Sequence, residues 1–284
     1  MPAKKKKSFP AIPAALLSMV SVQGGAFIAK RLFPVLGASG TSTLRIGLSA
    51  VILFLFNRPN IFKLSKKQWL YCAAYGICLG TMNLVFYLAI QRIPIGLGVA
   101  VEFTGPLAVA LLGSRKLLDV VWALLACIGI MLIVPWKNDG VDPLGIMFAL
   151  MAGACWAGYI LIGGKMTKIM SNSDAVTIGM FFATLLILPV GILSGDLNML
   201  NWELLLIGLS VALLSSAIPY SLDLIALKKL PSKTFSILMS LQPAFGALSG
   251  LIFLKEILSW NQWLSILCVI VASIGATAIS AKKK

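Results

Sequence analysis

The sequence of 284 residues contains no histidine and has nine acidic residues against 24 basic ones. The absence of histidine excludes a histidine-based catalytic triad, a histidine metal site and a histidine proton relay. Charged residues are also scarce, because Asp, Glu, Lys and Arg make up 12% of the chain, whereas they make up about a quarter of a typical soluble domain. We therefore expect an integral membrane protein.

Cysteine is present but shows no spacing typical of a metal site. All five cysteines lie inside apolar stretches long enough to cross a membrane. Since buried cysteine behaves as a small apolar residue, we expect these side chains to pack, and no metal or other cofactor is predicted. The five are Cys72, Cys78, Cys127, Cys155 and Cys268.

Long apolar runs dominate the chain, which is 59% apolar with a mean hydropathy of +0.97. A helix needs about 20 apolar residues to cross about 30 Å of hydrocarbon, and these runs are too long for barrel strands and lack their alternation. We predict an all-α integral membrane protein with ten transmembrane helices. The predicted spans are 11–29, 38–56, 69–90, 95–112, 118–135, 143–162, 174–193, 202–225, 233–253 and 260–280.

Basic residues are distributed unevenly over the connections between these spans. Eighteen Lys and Arg lie on the side that carries both termini, and five lie on the other side. The positive-inside rule then places both termini in the cytoplasm. The net charge of +15 therefore reflects orientation in a lipid bilayer, and no nucleic acid partner is expected.

The second half of the chain repeats the pattern of the first at an offset of 137 residues. Residues 89–119 align without a gap on residues 226–256, and the two segments share prolines at two positions, of which Pro106/Pro243 is one pair. A repeat that crosses the bilayer five times must be inverted relative to its copy. Inverted repeats with a site between them are typical of secondary transporters.

This repeat predicts the organisation of the whole chain, with no room for a separate soluble domain. Two five-helix repeats are joined by a short connection and flanked by basic cytoplasmic tails. The predicted segments are a tail at 1–10, repeats at 11–136 and 143–280, a connection at 137–142 and a tail at 281–284.

Away from the ends of the predicted spans there are three charged residues, namely Arg45, Glu102 and Asp223. Each must face protein or water, because a charge in hydrocarbon costs at least ~2.5 kcal/mol on insertion scales. Arg45 and Glu102 are expected at similar depths, where they can form an ion pair. Either the pair is a structural salt bridge, or Arg45 holds a substrate carboxylate, or binding of substrate or a proton competes with the pair. Asp223 can receive a substrate amine or a proton, or it can pair with Lys228.

Helical spacing collects polar and aromatic residues into stripes that can line a central cavity. The stripe residues are Asn83 and Tyr87 in the third span, Trp156 and Tyr159 in the sixth, and Tyr220 in the eighth.

Pro106 and Pro243 lie near the middle of the fourth and ninth spans and are expected to bend both helices. Glu102 lies one turn before Pro106, and Gln242 directly precedes Pro243. A midplane binding site is expected at these bends, although prolines also kink helices that touch no ligand.

Several segments along nearly the whole chain, with VEFTGPLAVAL as the most specific, resemble a known family. The resemblance is to the drug/metabolite transporter superfamily in its EamA-type ten-helix branch, and within it to the bacterial threonine and homoserine exporters. It implies an amino-acid exporter with two inverted repeats around a central cavity that opens alternately to each side. Family members often carry Glu before the ninth-helix proline, where this chain has Gln242.

The leading functional prediction is export of small neutral amino acids, threonine or homoserine, across the bacterial inner membrane, with proton coupling or as a uniporter. A zwitterion needs a cation and an anion, which Arg45 with Glu102 or Asp223 can provide. Efflux of aromatic amino acids, drugs, purines or other metabolites is the alternative. An intramembrane lipid-modifying enzyme is a distant one, because its nucleophile and base are missing.

Overall fold

The computed structural model describes residues 10–29, 32–93, 95–112, 117–133, 142–242, 244–245 and 260–281. Every regular element within these residues is helical. The helices are α1 (Ala11–Ala29), α2 (Phe33–Asn57), α3 (Lys66–Ile90), α4 (Ile95–Glu102), α5 (Thr104–Leu112), α6 (Leu117–Ile133), α7 (Pro143–Met166), α8 (Asn172–Leu193), α9 (Trp202–Ala212), α10 (Ile218–Lys229), α11 (Ser232–Met239) and α12 (Trp260–Ala281). A π-helical turn at Leu213–Ala217 joins α9 to α10, and short 3-10 turns lie at Ile61–Lys63 and Asp196–Met199.

Five helical segments are long and apolar enough to cross a membrane. They are Pro34–Asn57, Lys66–Ile90, Pro143–Met166, Asn172–Leu193 and the continuous segment Trp202–Lys229. Large apolar side chains also cover the outside of the bundle, such as Phe56 and Leu112, as expected where lipid replaces water. The predicted all-α membrane fold is confirmed at this level, whereas the predicted tails at 1–9 and 282–284 and most of the 137–142 connection lie outside the described residues.

The helices pack around a central group formed by α3, α7 and α8. Helix α3 contacts both α7 and α8, α2 contacts α8 and α9, and α1 contacts α10 and the π turn. In addition, α5 contacts α11, and α6 contacts α12. The largest fully buried side chains of this core include Tyr75, Tyr159 and Phe235.

Polar residues at the helix ends fix where the membrane helices begin. The Asp142 carboxylate accepts a hydrogen bond from the Leu144 backbone N–H, and Pro143 occupies the first position of α7, where its missing N–H costs nothing. Arg92 donates to the same carboxylate over 3.0 Å. That hydrogen bond lowers the pKa of Asp142.

The deep part of α2 is separated from its first turn by a break at Gly37, whose φ of 57° favours glycine. The carboxylate of Asp196, from the connection between α8 and α9, accepts a hydrogen bond from the Gly40 N–H over 3.1 Å. This side chain therefore caps the helical segment that carries Arg45.

Two glycines allow α5 and α7 to cross in direct backbone contact. A Cβ atom on Gly105 would overlap the Gly153 carbonyl oxygen, and a Cβ atom on Gly153 would lie 2.5 Å from the Glu102 carbonyl oxygen. The crossing thus brings the end of α4 against α7, and it fixes Glu102 beside the core of the bundle.

Substitution of Gly153 by alanine is expected to destabilise the protein by about 1 to 3 kcal/mol, because the added methyl group meets backbone that cannot yield. The change is measured by heating the protein in detergent and recording the fraction that remains monodisperse at each temperature. Gly24→Ala is the matched control, since a Cβ atom there meets nothing within 4 Å. Equal unfolding temperatures for the two variants would contradict the close crossing.

Candidate substrate-binding site

Arg45 lies in the deep part of α2, and its guanidinium is surrounded by oxygen atoms of three other segments. Nε donates to the Ser216 hydroxyl over 2.7 Å, and Nη1 donates to the Tyr87 hydroxyl over 2.9 Å. Nη2 donates to the Ser215 carbonyl over 2.8 Å and to the Tyr220 hydroxyl over 3.1 Å. All four acceptors are neutral.

A proline explains why the Ser215 carbonyl is available to Arg45. In a regular helix the N–H four residues later would donate to it, but that residue is Pro219, which has no N–H. The helix forms a π turn over Leu213–Ala217 at this point. Ser215 is not among the residues predicted from the sequence, although Pro219, four positions later, is the signal that points to its carbonyl.

Asn83 of α3 joins the same network through its side-chain amide. Nδ2 donates to the Tyr220 hydroxyl over 3.0 Å and to the Leu79 carbonyl over 2.8 Å. Asn83 and Tyr220 are 137 residues apart, which equals the repeat offset in the sequence.

Asp223 forms a second polar centre one turn further along α10. The Ser18 hydroxyl of α1 donates to Oδ1 over 2.6 Å, and the Tyr159 hydroxyl of α7 donates to Oδ2 over 3.0 Å. The predicted alternative, a pair with Lys228, does not form, because the carboxylate is buried and faces α1 and α7, while Lys228 is exposed. Ser18 was missed, since no local pattern distinguishes it from other small residues of α1.

Aromatic rings connect the two centres. The ring centroids of Tyr159 and Tyr220 are 5.8 Å apart, and those of Tyr75 and Tyr159 are 5.0 Å apart. Tyr220 bonds to Arg45 on one side, and Tyr159 bonds to Asp223 on the other. The cation and the carboxylate therefore lie at the two ends of one continuous polar and aromatic cluster.

Glu102 ends α4, and the helix is interrupted at Phe103 before it resumes as α5. Pro106 lacks the N–H that would otherwise donate to the Glu102 carbonyl. The side chain of Glu102 is buried, and the Phe103 ring contacts the buried ring of Trp156 edge-on, with centroids 5.9 Å apart. Glu102 and Trp156 thus lie on neighbouring elements at the α4–α7 crossing.

The expected ion pair between Arg45 and Glu102 does not form. Ion pairs in the described part of the chain join Arg92 to Asp142 and Lys233 to Asp119, and Arg45 bonds to tyrosines and serines instead. The guanidinium reaches α3, α10 and the π turn that precedes α10, and none of these hydrogen bonds goes to α4.

Gln242 lies apart from this cluster. Its backbone carbonyl accepts a hydrogen bond from the Gln23 amide over 3.3 Å, and its own amide contacts the Met239 sulfur at 3.9 Å. The predicted bend at Pro243 lies outside the described residues.

Comparison with known proteins identifies the family. Residues 143–278 match the EamA-like transporter family. The chain is also 45% identical over 281 residues to the threonine/homoserine exporter RhtA of Escherichia coli strain K12, which covers 98% of this chain and 95% of that protein. The chain belongs to the EamA-like transporter family.

Other relatives of this EamA-like transporter agree with that placement. RhtA of Salmonella typhimurium strain LT2 is 45% identical over 264 residues, with 92% of this chain and 89% of that protein covered. The uncharacterized transporter YwfM of Bacillus subtilis strain 168 is 26% identical over 263 residues, with 87% and 86% covered. These relatives are named as transporters, so the chain is not assigned to an enzyme class.

One solved crystal structure shares the fold of this EamA-like transporter. It aligns with a TM-score of 0.72 over 96% of this chain and 99% of that chain, at 15% sequence identity. At this identity the likeness concerns the helical arrangement alone.

Proposed function

We propose that this EamA-like transporter exports small neutral amino acids, with threonine and homoserine as substrates, across the bacterial inner membrane. The similarity to RhtA supports this choice of substrates. The observation that carries the proposal is the separation of charges inside the bundle. Arg45 has only neutral acceptors and Asp223 only neutral donors among the described residues.

A zwitterionic amino acid carries the two charges that these centres lack, a carboxylate for Arg45 and an ammonium group for Asp223. Its carboxylate binds Arg45, because a charged acceptor forms a stronger hydrogen bond with a guanidinium than a neutral hydroxyl does. Its ammonium group binds Asp223, while Trp156 and Tyr159 enclose the side chain. Arg45 keeps part of its surface exposed, which leaves a route for a solute to reach it.

Glu102 is the second candidate for the ammonium group. Its carboxylate is buried and forms no ion pair within the described ranges. We assign the ammonium group to Asp223, because Tyr220 and Asp223 lie one turn apart on α10 and Tyr220 already contacts Arg45. Asn83 and Tyr87 then act by holding Tyr220 and Arg45 in position.

The proposal includes ten transmembrane helices in two inverted repeats, with both termini in the cytoplasm. Helix contacts support this arrangement, since the second predicted span packs on the seventh (α2 on α8), the fourth on the ninth (α5 on α11) and the fifth on the tenth (α6 on α12). Contacts between counterparts are those expected of helices that lie beside a two-fold axis relating the repeats. Alternating access around the central cluster is then the transport mechanism.

Contacts between connections also support this topology. Arg92 pairs with Asp142, and the basic-residue distribution assigns both to the outer side. Lys233 pairs with Asp119, and both lie at the cytoplasmic ends of predicted spans. Neither ion pair joins ends that are assigned to opposite sides.

Purified protein in liposomes loaded with unlabelled threonine is expected to accumulate labelled threonine and homoserine by exchange. Protein-free liposomes are the control, and labelled phenylalanine and lysine test the alternative substrates. A pH gradient across the liposomes distinguishes the two modes, since it drives net uptake only in a proton-coupled transporter. If neither threonine nor homoserine moves with or without the gradient, the proposed substrates are wrong.

A further inference from the structure

Three consecutive hydroxyl residues lie about one turn before Arg45 in α2. Thr41 and Ser42 are 0% exposed, and Thr43 is 4% exposed. None of their hydroxyl oxygens has a hydrogen-bond partner in the part of the chain that the structure describes. A buried polar group without a partner costs about 1 to 3 kcal/mol, so the three hydroxyls need an explanation.

Helix geometry separates these residues into two groups. At 3.6 residues per turn, Thr41 lies about 40° and Ser42 about 60° from the direction of Arg45, on either side of it, whereas Thr43 lies about 160° away. The Thr43 side chain packs against Gly191 of α8. Thr41 and Ser42 therefore share the face of Arg45, and Thr43 does not.

Long side chains in a helix lean towards its N-terminus, and in α2 this is the direction from Arg45 to the turn that holds Thr41 and Ser42. Arginine has five N–H groups, and the four hydrogen bonds described above use four of them. One N–H of Nη1 has no acceptor among the described residues. This face of α2 thus combines a cation with a free donor and two hydroxyls without partners.

We propose that Thr41 and Ser42 bind the side-chain hydroxyl of the substrate while Arg45 binds its carboxylate, so that this face of α2 selects hydroxy amino acids. Thr41 lies about 6 Å before Arg45 along the helix axis, and the arginine side chain leans towards it, so a short hydroxy amino acid whose carboxylate binds Arg45 has its hydroxyl near the turn of Thr41 and Ser42. The inference rests on the proposed function. It adds the determinant that separates threonine from valine, which has the same shape with a methyl group in place of the hydroxyl.

The test compares Thr41→Val and Ser42→Ala with the matched variant Thr43→Val in the liposome exchange assay. The native protein is expected to prefer threonine over valine. At least one of Thr41→Val and Ser42→Ala is expected to lower the threonine-to-valine flux ratio by about tenfold, because each removes a hydrogen bond that only the hydroxyl substrate makes. Thr43→Val is expected to leave the ratio unchanged.

Thr41→Ser, which keeps the hydroxyl, is expected to retain the native ratio even if Thr41→Val folds poorly. The rise in unfolding temperature caused by threonine, compared with the rise caused by valine, gives the same comparison without a transport measurement. The inference is wrong if Thr41→Val and Ser42→Ala both keep the native threonine-to-valine flux ratio, or if Thr43→Val lowers that ratio equally. In either case, threonine exchange by the native protein still supports the proposed function. Absence of threonine exchange by the native protein overturns both.

Discussion

Replacement of Arg45 by lysine is expected to lower threonine exchange by about 100-fold, even though the positive charge is kept. The guanidinium reaches Ser216, Tyr87 and the Ser215 carbonyl from three different nitrogens. A lysine ammonium offers all its donors from one nitrogen and cannot span these acceptors. The carboxylate of the substrate then loses an oriented partner, and the π turn loses the donor that satisfies its carbonyl.

A role in binding is separated from a role in folding by an analogue without a carboxylate. L-threoninol keeps the amine and the side-chain hydroxyl of threonine and has a primary alcohol in place of the carboxylate. It is expected to compete poorly with threonine for the native protein. In Arg45→Gln the two compounds are expected to compete equally, because the group that distinguishes them is gone.

Arg92→Lys is the matched control for Arg45, since it changes an arginine of an exposed ion pair, and exposed pairs contribute about 0 to 1 kcal/mol. We expect native exchange from this variant. Native exchange by Arg45→Lys, or a native preference for threonine over threoninol in Arg45→Gln, would show that Arg45 does not bind the carboxylate.

Replacement of Asp223 by asparagine is expected to lower threonine exchange by about 100-fold, because the substrate ammonium loses its charged acceptor. Asparagine also replaces one carboxylate oxygen by an N–H₂ group. That group cannot accept from Ser18 or Tyr159, which both donate to Asp223 in the native protein. Asp142→Asn, at an exposed helix start, is the matched control and is expected to exchange threonine normally.

An analogue without the amine tests the same assignment. We expect 3-hydroxybutanoate to inhibit exchange by the native protein only weakly. It is expected to bind the Asp223→Asn variant as well as the native protein, because it has no ammonium group to contact the Asp223 carboxylate. Glu102→Gln is the decisive comparison. If Glu102→Gln loses threonine exchange and Asp223→Asn keeps native exchange, then Glu102, not Asp223, binds the substrate ammonium group.

Helical spacing predicted several members of the central cluster, because residues three or four positions apart lie on the same face of a helix. Arg45, Asn83, Tyr87 and Tyr220 were all candidates from the sequence, and the structure joins them in one hydrogen-bonded network. Their partners were harder to predict. The expected Arg45 pair with Glu102 depended on the direction of a long side chain, which height alone does not determine.

The residues missed in the sequence are those whose contribution depends on irregular backbone or on a distant helix. Ser215 contributes a carbonyl that is available because the helix widens before Pro219. Ser18 contacts Asp223 across 205 residues of sequence, and a serine among other small residues of α1 gives no local signal. Thr41 and Ser42 resemble ordinary helix residues until their burial without partners is known.

The hydrogen bond between Asn83 and Tyr220 has a consequence for how the molecule moves. In the proposed arrangement these residues are counterparts in the two repeats, and counterparts that touch must sit beside the symmetry axis. In alternating access, each repeat adopts in one state the conformation that the other repeat has in the opposite state. Residues far from the axis then move furthest, and residues on the axis move least. In the proposed mechanism the Asn83 amide and the Tyr220 hydroxyl would therefore lie at the pivot, and the parts that open and close would lie at the two ends of the bundle.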